Sequence, residues 1–460
     1  MMARHGRALT TSVLPLCWAL IVLGLFAVGR VQELFPPLML LRPALLATGF
    51  SLLYLVINPD LLASIPALRP WPSRVVVALI VWAIIGAPFG LNPSAAVMFV
   101  VQVWSTMLMG WFLQVIAIRS TRELRLLVGG FLVSAAILAV NAAFFTPMTF
   151  QEGSTMARLD DGSGSMFDPN DLCVLLVTAM PLAMCVFHTS KRLGKVLSVG
   201  FILLCSWTVA LSGSRGGFLG LILVGLSLLY LAKGMSVGKR VGIVVGLLAV
   251  LVVAAPAGYW AQMETIVKPG NDYNVSSEHG RKAIWLRGMG YMASYPLFGL
   301  GISNFNNAEC TISDLVLHPD PSKEAALCTA PHNSFVQAAA EMGVPGLIMW
   351  SSLVFGGAVG PLRLRRRMPK HWQVGDREQR YLYRMTMYLP VAAIGYAVTA
   401  FFVSHAWMDM VLSLAAYNAG MYVAASRKMW QERRENGQVI PHVEVPAPVR
   451  GRPMLPGRTA

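Results

Sequence analysis

The stretch PHNSFVQAAAEMGVPG, residues 331–346, places three polar side chains at the start of a long apolar run. His332 follows a proline at a predicted helix start, with Asn333 or Ser334 as the N-cap. A loop histidine is often incidental, but one that lies near arginines at the mouth of a membrane cavity can act as a general base. Glu341 precedes a Gly-Val-Pro-Gly break, and at membrane depth it needs a partner, for which we expect a backbone amide or an arginine.

Arg215 lies in the turn LSGSRGGFLG between two apolar runs. An arginine at a membrane interface is often functional, although it can also be an anchor that extends to the headgroups. Positive charge is disfavoured in short outer turns. The neighbouring residues are all small, which we interpret as room for a bulky ligand beside the guanidinium: Ser212, Gly213, Ser214, Gly216 and Gly217.

A second basic site opens the stretch SSEHGRKAIWLRGMGYMASYPLFGLGISNF, residues 276–305. Ser276 or Ser277 can cap a helix here, which would be amphipathic and lie along the outer membrane surface. One face of this helix would carry Arg281, Trp285 and Gly288. The alternative is a solvated basic face formed by Arg281, Lys282 and Arg287.

Two arginines and a histidine at one membrane face suggest a specific chemistry. Guanidinium groups bind phosphate oxygens in a bidentate manner, so two of them suit a diphosphate. On the outer face of a bacterial membrane, a lipid diphosphate most naturally carries a glycan on a polyprenyl chain. Glycan transfer needs a base for the acceptor hydroxyl and stabilisation of the departing diphosphate. Since the sequence contains no recognisable metal-binding cluster, the arginines would take the role of a metal.

The elements that position these residues are predicted to be membrane spans. Of the 460 residues, 55% are hydrophobic and 13% are charged, whereas soluble domains carry about 25% charged residues. This composition predicts an all-α polytopic membrane protein, and the net charge of +15 is explained better by topology than by nucleic-acid binding. Apolar runs predict twelve spans, near 12–29, 38–57, 75–91, 95–118, 126–145, 171–187, 196–211, 217–232, 241–259, 343–360, 385–403 and 408–425.

Basic residues are distributed unevenly between the two sides of this bundle. With the N-terminus in the cytoplasm, 28 of the 37 Lys and Arg residues fall inside, which predicts that both termini are cytoplasmic. Two alternatives remain. The first span could be a signal peptide, and a miscount at the short connector between 196–211 and 217–232 would invert everything downstream.

The chain is predicted to have a transmembrane bundle, residues 1–425, and a disordered cytoplasmic tail, residues 426–460. A large periplasmic loop, about 260–342, lies between spans 9 and 10, and loops of this kind often carry chemistry. The basic inner segment 363–384 is interpreted as a topology anchor. Cys310 and Cys328 fall in the large loop, where an oxidising compartment favours a disulfide over two unpaired thiols.

Four stretches resemble the O-antigen ligase and Wzy-type polymerase superfamily. They are SGSMFDPNDLCVLL, LSGSRGGFLGL, RKAIWLRGMGYMASYPLFGLGISNF and HNSFVQAAAEMGVPGL, in the order of the family, and they extend over about 162–348. The resemblance implies a helical bundle with a large periplasmic loop in the bacterial inner membrane. It implies that Arg215 and Arg281 hold undecaprenyl diphosphate and that His332 is the base. The transfer would be inverting, metal-independent and without a cofactor.

The partners implied by the resemblance are an undecaprenyl-diphosphate-linked glycan donor, membrane lipids and an acceptor, with no nucleic acid. The acceptor stays open among lipid A-core, a second lipid-linked repeat unit and a protein hydroxyl. Further residues are expected near the substrate, namely Arg158, Asp168, Asn170, Trp285, Asn333 and Glu341.

A transporter or flippase of lipid-linked oligosaccharides is the main alternative, since it would also explain twelve spans. Transporters commonly show matching broken helices in two halves and charged residues deep within several spans. Neither feature is clear here, and the polar residues cluster at one predicted membrane face. A scaffold for a polysaccharide complex is a further, weaker alternative. The replacement His332→Ala would be tolerated by a transporter and not by a transferase that uses this base.

Overall fold

The computed structural model of the protein describes residues 11–150, 156–159, 168–232, 236–268, 277–318 and 327–436. Within these ranges the chain is almost entirely helical, as predicted. The α-helices are α1 (Leu14–Ala27), α2 (Val31–Leu34), α3 (Pro43–Ile57), α4 (Trp71–Gly86), α5 (Pro93–Met98), α6 (Ser105–Ala117), α7 (Thr121–Phe144), α8 (Pro169–Thr189), α9 (Arg192–Leu211), α10 (Arg215–Leu231), α11 (Val237–Ala254), α12 (Tyr259–Glu264), α13 (Arg281–Ser294), α14 (Phe305–Thr311), α15 (Asp314–Leu317), α16 (Ser334–Arg367), α17 (Arg377–Ala400) and α18 (Asp409–Glu435).

The remaining regular elements are short. Two strands, β1 (Met148–Phe150) and β2 (Ala157–Leu159), pair antiparallel with Thr149 opposite Arg158. A π-helical segment, Phe99–Trp104, joins α5 to α6. The 3₁₀ helices are Pro36–Leu41, Pro59–Leu61, Pro66–Leu68, Ala87–Phe89 and Lys370–Gln373.

Seven helical segments among the described residues are long and apolar enough to cross a membrane. They are Pro36–Ile57, Trp71–Phe89, Pro93–Ala117, Thr121–Phe144, Pro169–Thr189, Arg192–Leu211 and Ser334–Arg367. Each of the twelve predicted spans overlaps a helix, but several of those helices are shorter or carry charged ends. The helices therefore support a multi-pass membrane protein, while the count of twelve and the orientation stay predictions.

The centre of the bundle is formed by α8 and α17, which pack against each other. Most residues of α8 are apolar and buried. Helix α10 comes close to both, since a Cβ on Gly220 would lie 2.6 Å from Thr399 Cγ2 of α17 and 3.1 Å from Val177 Cγ1 of α8, and one on Gly395 would lie 2.8 Å from Val224 Cγ2. Glycine at these contacts sets the position of the helix that begins at Arg215.

Most of the predicted outer loop 260–342 is folded. Its described parts contain most of α12, all of α13, α14 and α15, and the first turns of α16, which begins at Ser334 directly after one of the two predicted N-caps. Gly343, with φ 66° and ψ −167°, interrupts the helical backbone of α16. The Gly-Val-Pro-Gly break is therefore a kink inside a long helix, and the predicted span is the part after the kink.

The predicted inner segment 363–384 is mostly helical, because α16 continues to Arg367 and α17 begins at Arg377. Asp376 caps α17, and its carboxylate also lies 3.0 Å from Lys428 of α18. This ion pair anchors α18 at the end of the bundle opposite the outer loop.

The predicted boundary of the disordered tail is wrong by ten residues. Disorder was expected from residue 426, but α18 continues to Glu435. His371 and Trp372 both contact the Glu432 carboxylate, Trp372 Nε1 at 2.8 Å, and these contacts hold the last turns of α18. Residues 437–460 of the predicted tail lie outside the described residues.

Candidate active site

Arg215 is the first residue of α10, directly after the tight turn that follows α9. Gly213 in this turn has a left-handed φ of 62°, and Ser214 Oγ caps α10 by accepting from the Gly217 amide at 3.1 Å. The guanidinium is partly buried, and its Nη1 donates to Thr265 Oγ1 at 2.8 Å. Thr265, the residue directly after α12, therefore helps to orient the Arg215 guanidinium.

The glycines beside Arg215 serve helix packing. A Cβ on Gly216 would lie 2.7 Å from Phe402 Cδ2, and one on Gly217 would lie 2.5 Å from Cys173 Sγ. Both distances are too short for non-bonded atoms, so only glycine lets α10 approach α8 and the turn after α17. Packing thus explains the small size of Gly216 and Gly217, and room for a ligand beside the guanidinium stays a prediction.

Arg158 and Asn170, both predicted near the substrate, lie against the same turn. Arg158 Nε donates to the carbonyl of Ser212 at 2.9 Å, and its Nη2 donates to Asn170 Oδ1 at 3.3 Å. Asn170 Oδ1 also accepts from Ser214 Oγ at 2.7 Å. Asp168 is the N-cap of α8, and its Oδ1 accepts from the Asn170 amide at 2.7 Å. One hydrogen-bond network therefore joins β2, the start of α8 and the turn before α10.

His332 lies before α16 with a left-handed backbone, φ 45°. A non-glycine residue in this region is uncommon, and such strain is concentrated at functional sites. The His332 amide donates to Ser404 Oγ at 2.9 Å, and Trp285 Nε1 donates to the neighbouring carbonyl of Pro331 at 2.9 Å. The backbone is thus held on both sides, while the side chain stays exposed.

Asn333 is the N-cap of α16, which is one of the two predicted possibilities. Its Oδ1 accepts from the amides of Phe335 at 2.9 Å and Val336 at 3.2 Å, and the residue is buried. Ser334 donates its hydroxyl to the carbonyl of Val403 at 2.8 Å. The Asn333 side chain is therefore occupied within the fold and fixes the helix start directly after His332.

Arg281 is the first residue of α13, with Gly280 as the N-cap. Of the two serines predicted to cap this helix, Ser277 does not, and Ser276 lies outside the described residues. Helix α13 packs tightly on α16, since a Cβ on Gly288 would lie 2.4 Å from Val336 Cγ1. This close packing brings the N-terminal charge of α13 towards the start of α16.

The electrostatic surroundings of His332 favour its neutral form. Part of the imidazole reaches solvent, but burial by the surrounding groups lowers the pKa of His332 below its usual 6.5. The charge of Arg281 lowers this pKa further, whereas Asp168 and Asp171 act in the opposite direction. At neutral pH the imidazole is therefore unprotonated and able to accept a proton.

Arg287 does not belong to a solvated basic face, which corrects that alternative for this residue. Its Nε lies 3.0 Å and its Nη2 2.5 Å from Glu309 Oε2. The hydroxyl of Tyr291 donates to Glu309 Oε1 at 2.9 Å, and Glu309 is only 1% exposed. Lys282 is exposed. The buried ion pair joins α13 to α14, and sequence patterns give no sign that these two distant residues meet.

Cys310 and Cys328 form a disulfide with their Cα atoms 4.7 Å apart. Thr329 follows the second cysteine, and its Oγ1 donates to Glu309 Oε2 at 3.4 Å. The covalent bond therefore fastens the segment that leads to His332 onto α14. In the chain-entropy description, closing a loop of this length stabilises the fold by about 3 kcal/mol.

Glu341 ties three segments together through a buried carboxylate. Its Oε2 accepts from the Ser303 amide at 2.7 Å and from Trp407 Nε1 at 2.5 Å, and its Oε1 accepts from the Phe305 amide at 3.3 Å. The expected contact with a backbone amide is confirmed. The side-chain donor to the carboxylate is a tryptophan and not the arginine that was the alternative. These contacts position the outer segments and leave the carboxylate inside the fold.

The Pro-Leu-x-Gly-x-Gly stretch packs against α16 at its kink. The amide of Val344 donates to the carbonyl of Pro296 at 2.9 Å. A Cβ on Gly343 would lie 2.5 Å from the carbonyl oxygen of Leu297, and the positive φ there also requires glycine. The Glu-x-Gly pattern is thus explained by the docking of this stretch onto the helix.

We expect Glu341→Ala to lower the free energy of unfolding by roughly 3 kcal/mol, because it removes the acceptor of the buried Trp407 and Phe305 donors. Glu341→Gln keeps one acceptor oxygen and should cost less. The melting temperature of the purified protein measures both effects. Glu264→Ala is the matched control, since it removes an exposed glutamate paired with Lys268 and should change the melting temperature little. An unchanged melting temperature in Glu341→Ala would contradict the assigned role.

The turn 401–408, between α17 and α18, connects the segments that carry the predicted catalytic residues. Phe402 in this turn contacts Gly216, the residue after Arg215. Phe401 packs against the indole of Trp285 on α13, and the two ring centroids lie 5.0 Å apart. Its Ser404 holds the amide of His332. One end of the bundle therefore presents Arg215, Arg281 and His332.

The same turn contributes residues that sequence reasoning missed. His405 Nε2 lies 3.1 Å from Asp171 Oδ1, and Trp407 binds Glu341. The available signal was the pair of ionisable residues in HAWMD, His405 and Asp409, between two apolar runs. Among the described residues, no group of three or more His, Cys, Asp and Glu side chains is placed to hold a metal ion.

Comparison with known protein families supports a multi-pass membrane protein. Residues 200–351 match the model of a family described as O-antigen ligase. The match includes Arg215, Arg281 and His332 and confirms the resemblance to the O-antigen ligase and Wzy-type superfamily. It supports glycan transfer of the O-antigen ligase type as the general activity. No curated protein matches the chain.

Proposed function

We propose that the protein transfers a glycan from undecaprenyl diphosphate to an acceptor hydroxyl at the periplasmic face of the bacterial inner membrane. It would act as a ligase that uses lipid A-core, or as a polymerase that uses a second lipid-linked repeat unit. The observation that carries the proposal is the 401–408 turn, which contacts the segments of Arg215 and His332 and the α13 helix that begins at Arg281.

The proposed reaction is a single displacement, metal-independent and inverting by resemblance to the family. Neutral His332 accepts the proton of the acceptor hydroxyl, and the acceptor oxygen forms a bond to the anomeric carbon. The bond between that carbon and the diphosphate oxygen breaks at the same time. Undecaprenyl diphosphate leaves with the electron pair, and Arg215 and Arg281 stabilise its growing negative charge.

Five of the six other predicted substrate residues divide into two groups. Arg158 and Asn170 border the turn before Arg215, so we propose that they line the path of the glycan. The remaining three position the base, since their polar atoms bind within the fold: Trp285, Asn333 and Glu341.

The test is a gel of surface glycans and lipid-linked glycans from a strain that lacks the protein, complemented with the wild type, Arg215→Ala or His332→Ala. Polymer on the lipid carrier together with bare lipid A-core would identify a ligase. Single repeat units without long chains would identify a polymerase. Neither point variant should restore the wild-type pattern. If both variants restored it fully, the shared site would be refuted and a transporter would be favoured.

A further inference from the structure

His405 and Asp171 form an ion-pair contact at the outer end of the bundle that the proposed reaction does not yet use. Nε2 of His405 lies 3.1 Å from Oδ1 of Asp171, and both side chains are largely covered, with 14% and 27% of their surface exposed. Asp171 lies in the first turn of α8, where the positive end of the helix dipole favours a carboxylate. The pair therefore has a fixed geometry in a partly desolvated place.

The backbone around His405 is held on every side. Its amide donates to Ser334 Oγ at 2.9 Å, and its carbonyl accepts from the Tyr396 hydroxyl at 3.1 Å. The next amide, of Ala406, donates to Gln337 Oε1 at 3.1 Å. Nδ1 of His405 is buried and has no hydrogen-bond partner among the described residues. Only Nε2 is thus engaged, which makes it the ring nitrogen that donates to Asp171.

The pair lies next to the proposed base. Ser404, the residue before His405, accepts from the amide of His332 at 2.9 Å. Three charged groups act on the His332 imidazole: Arg281 lowers its pKa, whereas Asp168 and Asp171 raise it. Asp168 lies at the tip of α8, where it caps the helix and is exposed. Asp171 is the more covered carboxylate of the two, and the His405 side chain fixes its direction.

We propose that Asp171, oriented by His405, is the counter-charge for the imidazolium that forms on His332 when it accepts the acceptor proton. This inference rests on the proposed function. Asp171 stays a carboxylate throughout, and His405 keeps its Nε2 proton, so the pair makes and breaks no covalent bond. Both are positioning residues. Their combined effect opposes Arg281, which favours the diphosphate but disfavours a protonated His332.

The first measurement is the protonation of His332 in the full chain, in lipid nanodiscs and without substrate. Isotope-labelled histidine gives one NMR signal for each of the eight histidines, and His332→Asn assigns the relevant one. Asp171→Asn removes the charge but keeps an acceptor oxygen for His405. We expect the midpoint of His332 to move to lower pH by roughly half to one unit, because the imidazolium loses a nearby negative charge.

The second measurement is the initial rate of glycan transfer by the purified protein from donor lipid extracted from the deletion strain. Asp171→Asn should lower kcat by roughly tenfold, which corresponds to one pKa unit of lost stabilisation. His405→Leu frees the carboxylate and should lower kcat similarly, whereas His405→Gln keeps an N–H donor and should retain most of it. A KM change alone, or equal losses in both His405 variants, would overturn the positioning role.

The matched control is His371→Gln, which breaks a histidine–carboxylate contact with Glu432 at the opposite end of the bundle. It should move neither the His332 midpoint nor kcat. An unchanged midpoint in Asp171→Asn refutes the counter-charge, even if His332→Asn is inactive. Full activity in His332→Asn would instead refute the proposed function, and the titration result would stand independently of it.

Discussion

His332→Asn is expected to lower the rate of glycan transfer by about 100- to 10,000-fold, the usual contribution of a positioned general base. Asparagine is the informative replacement because it tolerates the left-handed backbone at this position, φ 45°, but cannot accept a proton at neutral pH. Part of the His332 side chain reaches solvent, and its amide contact to Ser404 does not depend on the imidazole. The melting temperature should therefore stay close to that of the wild type.

The matched control for this replacement is His318→Asn, which removes an exposed histidine from the same outer segment and should leave the rate unchanged. The pH dependence gives an independent check. Because burial and Arg281 lower the pKa of His332, the wild-type rate should fall only when the pH drops below 6.5. A fall that begins above pH 7, or a His332→Asn variant with at least a tenth of the wild-type rate, would contradict the base.

Periodicity and motifs predicted the helical bundle well, since each predicted span overlaps a helix. Apolar runs determine where helices lie in a membrane, but they do not determine where a helix ends. Helix α18 continues ten residues past its predicted end because Trp372 and His371 bind Glu432, which is distant in sequence. The start of α16 was predicted from its N-cap Asn333, which lies outside the apolar run, but the continuation of the helix through Gly343 was not predicted.

The site was only partly predictable for the same physical reason. Residue type and position singled out Arg215 and His332, and the expected backbone partner of Glu341 exists in Ser303. Tertiary contacts between distant segments could not be deduced from one sequence. The buried ion pair of Arg287 with Glu309 is an example. The packing role of the glycines after Arg215 is another, because it depends on which side chains face them.

Arg215→Gln is expected to lower the transfer rate by about 100- to 1000-fold, as for loss of one preorganised group that stabilises a leaving anion. Arg215→Lys should recover only part of this loss, because an ammonium keeps the charge but cannot bind two phosphate oxygens in one plane. Thr265 orients the guanidinium through Nη1 and would not orient a shorter ammonium in the same way. Rates and inhibition by inorganic diphosphate measure the effect, and Lys282→Gln is the exposed control beside Arg281.

The double replacement of Arg215 and Arg281 by glutamine distinguishes a shared diphosphate site from two separate sites. If both guanidinium groups bind one leaving diphosphate, the loss in the double variant should be smaller than the product of the two single losses. Inorganic diphosphate should also inhibit each single variant less than the wild type. If the rate losses instead multiply in the double variant, and inhibition by inorganic diphosphate is unchanged in the single variants, the arginines act on different parts of the substrate. In that case the main role of the Arg281 charge would be to keep His332 neutral. The titration midpoint of His332 should then move to higher pH in Arg281→Gln.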